Sequence, residues 1–298
     1  MKLSATLDDL YQRHLACATR ANWGYHSLLP WERGKNFKTL PWSEDQGSLT
    51  PELTMAVETA LLTEVNLPWF TAGLKDMFDG GPSALKAFVK TWTAEEDQHS
   101  RLLDVYMALS RNGDPDRRAE LRRQVLTDGY EVEGDTGFAV MVYTTLQELA
   151  TRVFYQNLAT AAEAQDPSLS LILRTVAKDE TLHFAFYRDA VKAYLDEDPA
   201  RMGTVCAIIP TFRMPGSGMP DFPSRMRTIA QSGCYDVGSY LNEVMDPILR
   251  SWDVWQRDVP NDVEDARKAL FTHRERLQRI VAHRGQKIER PHVETRRP

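Results

Sequence analysis

Residues 94–99 read AEEDQH, and residues 178–183 read KDETLH. Each stretch contains the pattern Glu-x-x-His, with Glu96 and His99 in the first and Glu180 and His183 in the second. Residues three apart lie on one face of an α-helix, so each pair directs a carboxylate and an imidazole towards the same point. Two such helices, each facing a helix with one further glutamate, provide the ligands of a carboxylate-bridged dimetal site in a four-helix bundle.

A third copy of the pattern, Glu289 to His292, contains Pro291. Proline in a helix interior removes a hydrogen-bond donor and clashes with the preceding turn. This copy lies in a polar tail and is not expected to bind metal.

The composition predicts one globular domain. The chain has 298 residues, of which 42% are hydrophobic, enough to bury a large helical core. We expect a single domain over residues 1–285, followed by a basic, poorly ordered C-terminal tail over residues 286–298. A formal net charge of −6 and the absence of a basic stripe argue against nucleic-acid binding.

The sequence also predicts a cytoplasmic protein without a membrane span. No apolar run approaches the roughly 20 residues needed to cross a bilayer. Cys17, Cys206 and Cys234 are odd in number and widely spaced. They are expected to be reduced thiols, as in a cytoplasmic protein.

Periodicity and turn residues predict an all-α fold with long helices. Residues 22–50 are predicted to form a loop over one end of the bundle, with its tryptophans facing inward. Pro68 is expected to bend its helix beside Glu64, because the proline cannot donate a hydrogen bond to the Glu64 carbonyl. The predicted helices cover residues 4–20, 51–80, 82–112, 114–128, 137–165 and 167–198.

The spacing of the acidic residues links these helices into two equivalent hairpins. Glu64 to Glu96 spans 32 residues, as does Glu148 to Glu180, and the two hairpins repeat with an offset of 84. Each pair is centred on a predicted turn, so its two glutamates return to the same height in the bundle. The spacing therefore predicts one common metal centre with six ligands: Glu64, Glu96, His99, Glu148, Glu180 and His183.

Each of these residues also has an ordinary structural interpretation. Glutamates that face solvent would be common surface charges, whereas buried glutamates need a cation or a hydrogen-bond partner. Single histidines in a core are often satisfied without metal. Glu95 and Asp179 precede the ligand glutamates and are candidates to hold the outer ring nitrogens of the histidines, although an exposed helix charge explains them equally well.

Four stretches of the chain resemble the soluble acyl-acyl carrier protein (acyl-ACP) desaturases of the ferritin-like di-iron superfamily. The resemblance extends over about residues 22–285 and keeps all six ligand positions. The chain is shorter than the plant members and has no transit sequence, as expected of a bacterial relative. The matching stretches are LTEVNLP at 62–68, WTAEEDQH at 92–99, YTTLQELAT at 143–151 and AKDETLH at 177–183.

This resemblance implies a ferritin-like bundle with additional flanking helices, a homodimer and two iron ions, with manganese as an alternative metal. It implies an O2-dependent enzyme that takes electrons from a ferredoxin and inserts a cis double bond into an ACP-bound acyl chain. Glu64, Glu96 and His99 would serve one iron and the other three ligands the second, with two glutamates bridging. Thr151 matches an active-site threonine, and Asp179 and Trp23 match a proposed electron route; a packing role for Trp23 is a strong alternative.

An acyl chain needs an apolar cleft beside the metals, and an acidic carrier protein needs a basic docking patch. Gly73 and Met77 are placed by the resemblance near the far end of such a cleft. Candidates to line it are Tyr143, Leu146, Trp69, Phe70 and Phe138, although helix-spaced aromatic residues are more often core. Candidates for the docking patch are Arg117, Arg118, Arg122 and Arg123, with a solvated helix face as an equal alternative.

Other functions fit the same ligands. A di-iron hydroxylase or N-oxygenase acting on a natural product would use the same site. A ferroxidase or iron-handling protein belongs to another class, but a storage cage predicts a shorter bundle without the segments at 22–50 and beyond 200. A non-catalytic scaffold is disfavoured because all six ligands are present.

Overall fold

The computed structural model describes residues 2–288, with side chains described over residues 2–283. No strand is present in this part of the chain. The α-helices are α1 Lys2–Ala21, α2 Tyr25–Leu28, α3 Pro51–Glu64, α4 Leu67–Met77, α5 Ser83–Ser110, α6 Pro115–Asp128, α7 Gly137–Ala162, α8 Pro167–Glu197, α9 Met202–Thr211, α10 Phe222–Gln231, α11 Val237–Ser239, α12 Asp246–Ser251 and α13 Glu264–Ile288. The predicted all-α class is confirmed.

The bundle core consists of α3 with α4, α5, α7 and α8, which pack against one another. Local sequence sets where these helices begin. Thr50 caps α3, Thr136 caps α7 and Asp166 caps α8, each through a side-chain oxygen that accepts a backbone N–H of the first turn. The caps set where each helix begins, and the rise per residue then sets how far along the helix its glutamate lies.

The bend predicted at Pro68 is present. The first ligand helix ends at Glu64, and a new helix begins at Leu67 with Pro68 in its first turn. The backbone carbonyl of Asn66 accepts the backbone N–H groups of Trp69 and Phe70, each at 3.0 Å, and so begins the new helix. The missing donor of the proline therefore separates α3 from α4 beside the Glu64 carboxylate.

The remaining helices surround this core. The first helix packs along α8 and α5, α10 packs on α3, and α13 packs on α9. The flanking helices are thus an additional layer rather than a second core. The main buried apolar cluster includes residues from Leu7 in α1 to Leu270 in α13.

The N-terminal loop differs from the prediction at one tryptophan. Trp23 and Trp42 are half-buried, but Trp31 is 54% exposed. Its indole donates to the backbone carbonyl of His26 at 2.7 Å, which satisfies the N–H at the surface. The prediction that the tryptophans of this loop face inward is wrong for Trp31.

The C-terminal boundary stays a prediction. The last helix is described as far as Ile288, and the rest of the predicted tail over 286–298 lies outside the described residues. The third Glu-x-x-His copy, at Glu289 to His292, lies outside them as well.

Candidate metal centre

The structure brings all six predicted ligands to one place inside the bundle. Glu64, Glu96, His99 and Glu180 form one group, and Glu96, Glu148, Glu180 and His183 form a second. Within each group, one potential ligand atom from every residue lies within 4.8 Å of the others. Glu96 and Glu180 belong to both groups, which is the arrangement of two adjacent cation sites joined by shared carboxylates.

The ligand cluster is buried, so its glutamates are not surface charges. Glu64 is the most exposed of the six residues, at 9%, and both histidines are 0% exposed. Withdrawing one carboxylate from water costs several kcal/mol unless it is paired or bound to a cation. Four carboxylates in one buried cluster therefore indicate a site built for cations.

The electrostatics of the cluster without metal agree with this interpretation. Burial, and then the charge of Glu96, raise the pKa of Glu64 to about 8. Burial and the same neighbour raise the pKa of Glu180 well above its usual range. Burial alone would raise the pKa of Glu96, but His99 and His183 lower it below its usual value. Protons thus partly neutralise the acids, a role that cations can take over.

Both histidines turn the same ring nitrogen towards the cluster. Nδ1 of His99 lies 3.0 Å from Glu96, and Nδ1 of His183 lies 2.9 Å from Glu96. Despite these short distances, neither Nδ1 atom makes a well-directed hydrogen bond in the described part of the chain, and Oε1 of Glu180 also lacks one. These buried nitrogen and oxygen atoms lack well-directed hydrogen bonds and converge on one point. They fit the ligand set of a metal that binds nitrogen and oxygen.

The outer nitrogens of the histidines are held by the two acids predicted for this role. Nε2 of His99 lies 3.3 Å from Asp179, and Nε2 of His183 lies 2.9 Å from Glu95. The indole of Trp23 donates to Asp179 at 2.8 Å and stacks on the His99 ring at 6.1 Å between centroids. Asp179 and Trp23 are therefore next to the ligand set.

Three residues beside the ligands were not recognised from the sequence. His14 contacts Glu95, Trp92 donates to Glu148 at 3.1 Å, and the hydroxyl of Tyr155 donates to Glu64. Trp92 lies four residues before Glu96, and this spacing could have placed it on the same helix face. His14 and Tyr155 have no comparable signal, because their contacts depend on how neighbouring helices are rotated.

An open cavity adjoins the Glu64 side of the cluster. One part is lined by ligand residues together with Phe70, Trp92 and Thr151. A second part has an almost entirely apolar surface, although the Glu64 and Thr151 side chains border it. Both parts are lined by Glu64 and Thr151, so Thr151 lies where the apolar space meets the ligands.

The predicted cleft residues are only partly placed at this cavity. Phe70 lines it, whereas Tyr143, Leu146 and Phe138 are buried in the core. Trp69 is 44% exposed and donates its indole N–H to the carbonyl of Leu126. The placement of Trp69 in the cleft is therefore wrong.

The positions predicted for the far end of the cleft are not part of this cavity. Met77 is exposed at the surface, and Gly73 lies against the side chain of Val132. A Cβ atom at Gly73 would collide with Val132, so glycine permits the close approach of α4 to the loop before α7.

The four-arginine patch is also partly wrong. Arg118 is buried and lies 3.5 Å from Asp104, which also binds Arg122. Arg123 is exposed but pairs with Glu120. Buried or paired guanidinium groups contribute little net charge to a surface, so α6 does not present four free cations.

No helix in the described range 2–288 is both long and apolar enough to span a membrane. The three cysteines are unpaired, with Cys17 exposed and Cys206 and Cys234 buried.

The bundle and its buried cluster of four carboxylates and two imidazoles define a ferritin-like helical protein with a candidate dimetal site. The chain belongs to the fatty acid desaturase family, which matches residues 1–297. It is 32% identical over 269 residues to a Mycobacterium tuberculosis protein named as the acyl-ACP desaturase DesA1, covering 86% of this chain and 78% of that one. It is 28% identical over 212 residues to stearoyl-ACP 9-desaturase 2, chloroplastic, of Arabidopsis thaliana, covering 65% of this chain and 51% of that one.

A solved structure supports the fold. The X-ray structure of DesA2 from Mycobacterium tuberculosis, named as an acyl-ACP desaturase, superposes with a TM-score of 0.66 at 22% identity. The superposition covers 85% of this chain and 96% of that one. The arrangement of helices is therefore shared over most of both chains.

Proposed function

We propose that this protein is an O2-dependent di-iron desaturase that introduces a cis double bond into an acyl chain carried by ACP. The observation that carries the proposal is the pair of overlapping ligand groups buried next to an apolar cavity. The family and the names of its relatives support the same reaction. Two iron ions held here would supply the oxidising chemistry that an unactivated C–H bond requires.

The ligands divide between the two irons according to the groups they form. Glu64 and His99 belong only to the first group, and Glu148 and His183 only to the second. Glu96 and Glu180 belong to both groups, so they would be the ligands shared by the two ions. Oxygen and imidazole donors of this kind also suit manganese, which is the alternative metal.

The cavity binds the acyl chain and keeps water from the reacting carbon. Its apolar part is lined by residues such as Phe154, Met214 and Ile229, which offer contacts to methylene groups and few hydrogen bonds. Thr151 lines both parts of the cavity, so its hydroxyl would lie near the acyl chain and the metal ligands. The Tyr155 hydroxyl donates to Glu64 and would hold this carboxylate in place for a bound ion.

Electrons from a ferredoxin-type donor reach the site beside a cavity that shares no described lining residue with the acyl cavity. A continuous hydrogen-bonded path leads from Trp23 through Asp179 to the ligand His99. This path borders a small open cavity between α1, α5 and α8, whose lining includes Trp23, Asp179 and His183. This face therefore offers a short path from the surface to the metals without crossing the acyl cavity.

The relatives' names and the family resemblance supply the partners. An acyl-ACP substrate requires a basic docking surface, to which exposed Arg117 is the clearest contributor on α6. We propose a homodimer by analogy with the family. Three unpaired cysteines support a reducing, cytoplasmic location.

The test is a single-turnover assay. The purified protein is loaded with Fe2+ without oxygen and then given O2, reduced ferredoxin and a panel of acyl-ACPs of different chain length. Loss of two hydrogen atoms from the acyl chain, measured by mass spectrometry, is the expected result. Gain of an oxygen atom would identify a hydroxylase instead, and an unchanged acyl chain across the panel would contradict the proposal. A Glu180→Ala variant serves as the matched control without metal.

A further inference from the structure

The two ligand histidines are held crosswise by equivalent acids. Glu95 and Asp179 are related by the same 84-residue offset that relates the two hairpins. Asp179, from the second hairpin, holds His99 of the first, and Glu95, from the first, holds His183 of the second. The two halves of the site are therefore equivalent as far as the acids that hold the histidines.

Beyond the two acids the equivalence ends. Asp179 accepts a hydrogen bond from the Trp23 indole, whereas Glu95 accepts one from His14 on α1 at 3.1 Å. His14 is 5% exposed and packs edge-on against Phe88, with ring centroids 4.9 Å apart. The contact between this deeply buried imidazole and Glu95 is therefore part of the packed interior and not a chance surface contact.

One oxygen of Glu95 receives both imidazoles. The Oε2 atom lies 2.9 Å from Nε2 of His183 and 3.1 Å from Nε2 of His14. A carboxylate oxygen only accepts, so both Nε2 atoms must carry hydrogen. In the neutral His183 ring, this leaves the Nδ1 lone pair directed at the ligand cluster, where Nδ1 lies 2.9 Å from Glu96.

Glu95 needs this second contact because it is not fixed by burial. Its side chain is 21% exposed and lines the small cavity beside α1. With only His183 to hold it, the carboxylate would have room to rotate towards solvent. His14 restricts that freedom by holding the same oxygen from a second direction, since the His14 and His183 rings lie beside each other with centroids 6.0 Å apart.

We infer that His14 is a positioning residue that locks Glu95 and thereby orients His183 for the metal of the Glu148 group. This inference rests on the metal centre of the proposed function. It assigns His14 to one metal only, since the His99 side is held by Asp179 and Trp23. Partners that orient a ligand histidine typically contribute 10-fold to 100-fold to metal affinity.

The experiment compares two substitutions of similar size. His14→Gln keeps a side-chain N–H that can donate to Glu95, whereas His14→Leu fills the space without a donor. Tyr11→Phe is the matched control for helix docking, because it removes the 2.9 Å contact between α1 and Thr91 of α5 without touching Glu95. Each full-length protein is stripped of metal and titrated with Fe2+ under anaerobic conditions in a calorimeter.

Wild type, His14→Gln and Tyr11→Phe are expected to bind two ions with similar affinities. His14→Leu should bind one ion normally and the other at least about tenfold more weakly. In the metal-free protein, the His183 Nε2–H proton should exchange with water faster in His14→Leu than in His14→Gln, as measured by NMR. Two unchanged affinities in His14→Leu, or an equal loss at both sites, would overturn the inference. The titration uses no substrate, so a failure to desaturate would leave this result intact.

Discussion

Glu148 and Glu180 differ in how many metals they are expected to hold. Glu148 belongs to one ligand group, whereas Glu180 belongs to both. Each is 1% exposed and lies on a bundle helix, so truncation to alanine removes a carboxylate of the same kind from the same environment. The wild-type protein should bind two ions, Glu148→Ala one and Glu180→Ala none.

The size of the effect on stability follows from linkage. An ion present at 100 times its dissociation constant stabilises the folded state by about 2.7 kcal/mol per site. Metal should therefore raise the free energy of unfolding by about 5 kcal/mol in the wild type and by about 2.7 kcal/mol in Glu148→Ala. Glu180→Ala should show no metal-dependent increase. Only this increase is compared, because removing a buried carboxylate also changes the stability of the metal-free protein.

The assay combines elemental analysis of bound metal with urea unfolding, each with and without Fe2+ under anaerobic conditions. Glu197→Ala is the control, because Glu197 lies on the same helix as Glu180 but is exposed. It should keep both ions. Equal metal content in Glu148→Ala and Glu180→Ala would refute the assignment of Glu180 as a shared ligand, and two ions in Glu180→Ala would remove it from the site.

Three further predictions follow from other parts of the molecule. The Glu64 carboxyl has a pKa of about 8, so metal must displace its proton and Fe2+ affinity should fall as the pH is lowered from 8 to 6. Calorimetry in buffers of different ionisation enthalpy measures the proton release, and a pH-independent affinity would contradict the prediction. Arg225 is buried and donates to Glu58 at 2.8 Å, so Arg225→Met should lower the free energy of unfolding by about 3 kcal/mol. The double variant with Glu58→Met should recover most of this loss. A loss below about 1 kcal/mol in Arg225→Met would mean that the pair is not buried in solution. Cys17 is exposed, whereas burial raises the pKa of the Cys206 thiol to about 11. Mass spectrometry should therefore show that iodoacetamide modifies Cys17 well before Cys206. Equal modification rates at the two cysteines would argue against the placement of α9.

Sequence spacing was sufficient to predict the centre of the molecule. The Glu-x-x-His pairs, the 32-residue spacing and the 84-residue repeat predicted which six side chains meet, and the structure brings them together. The bend at Pro68 was predictable for the same reason. Helical periodicity and the missing proline donor act within a few residues, so the local sequence carries this information.

The tertiary structure decided what surrounds that centre. His14 reaches Glu95 from a helix 81 residues away in the chain, and Tyr155 reaches Glu64 across 91 residues. Burial of Arg118 and exposure of Trp31 likewise depend on how one helix or loop lies on another. A single helix specifies its own faces, but which face meets which neighbour depends on the packing of the whole bundle, and no short pattern in the sequence records that choice.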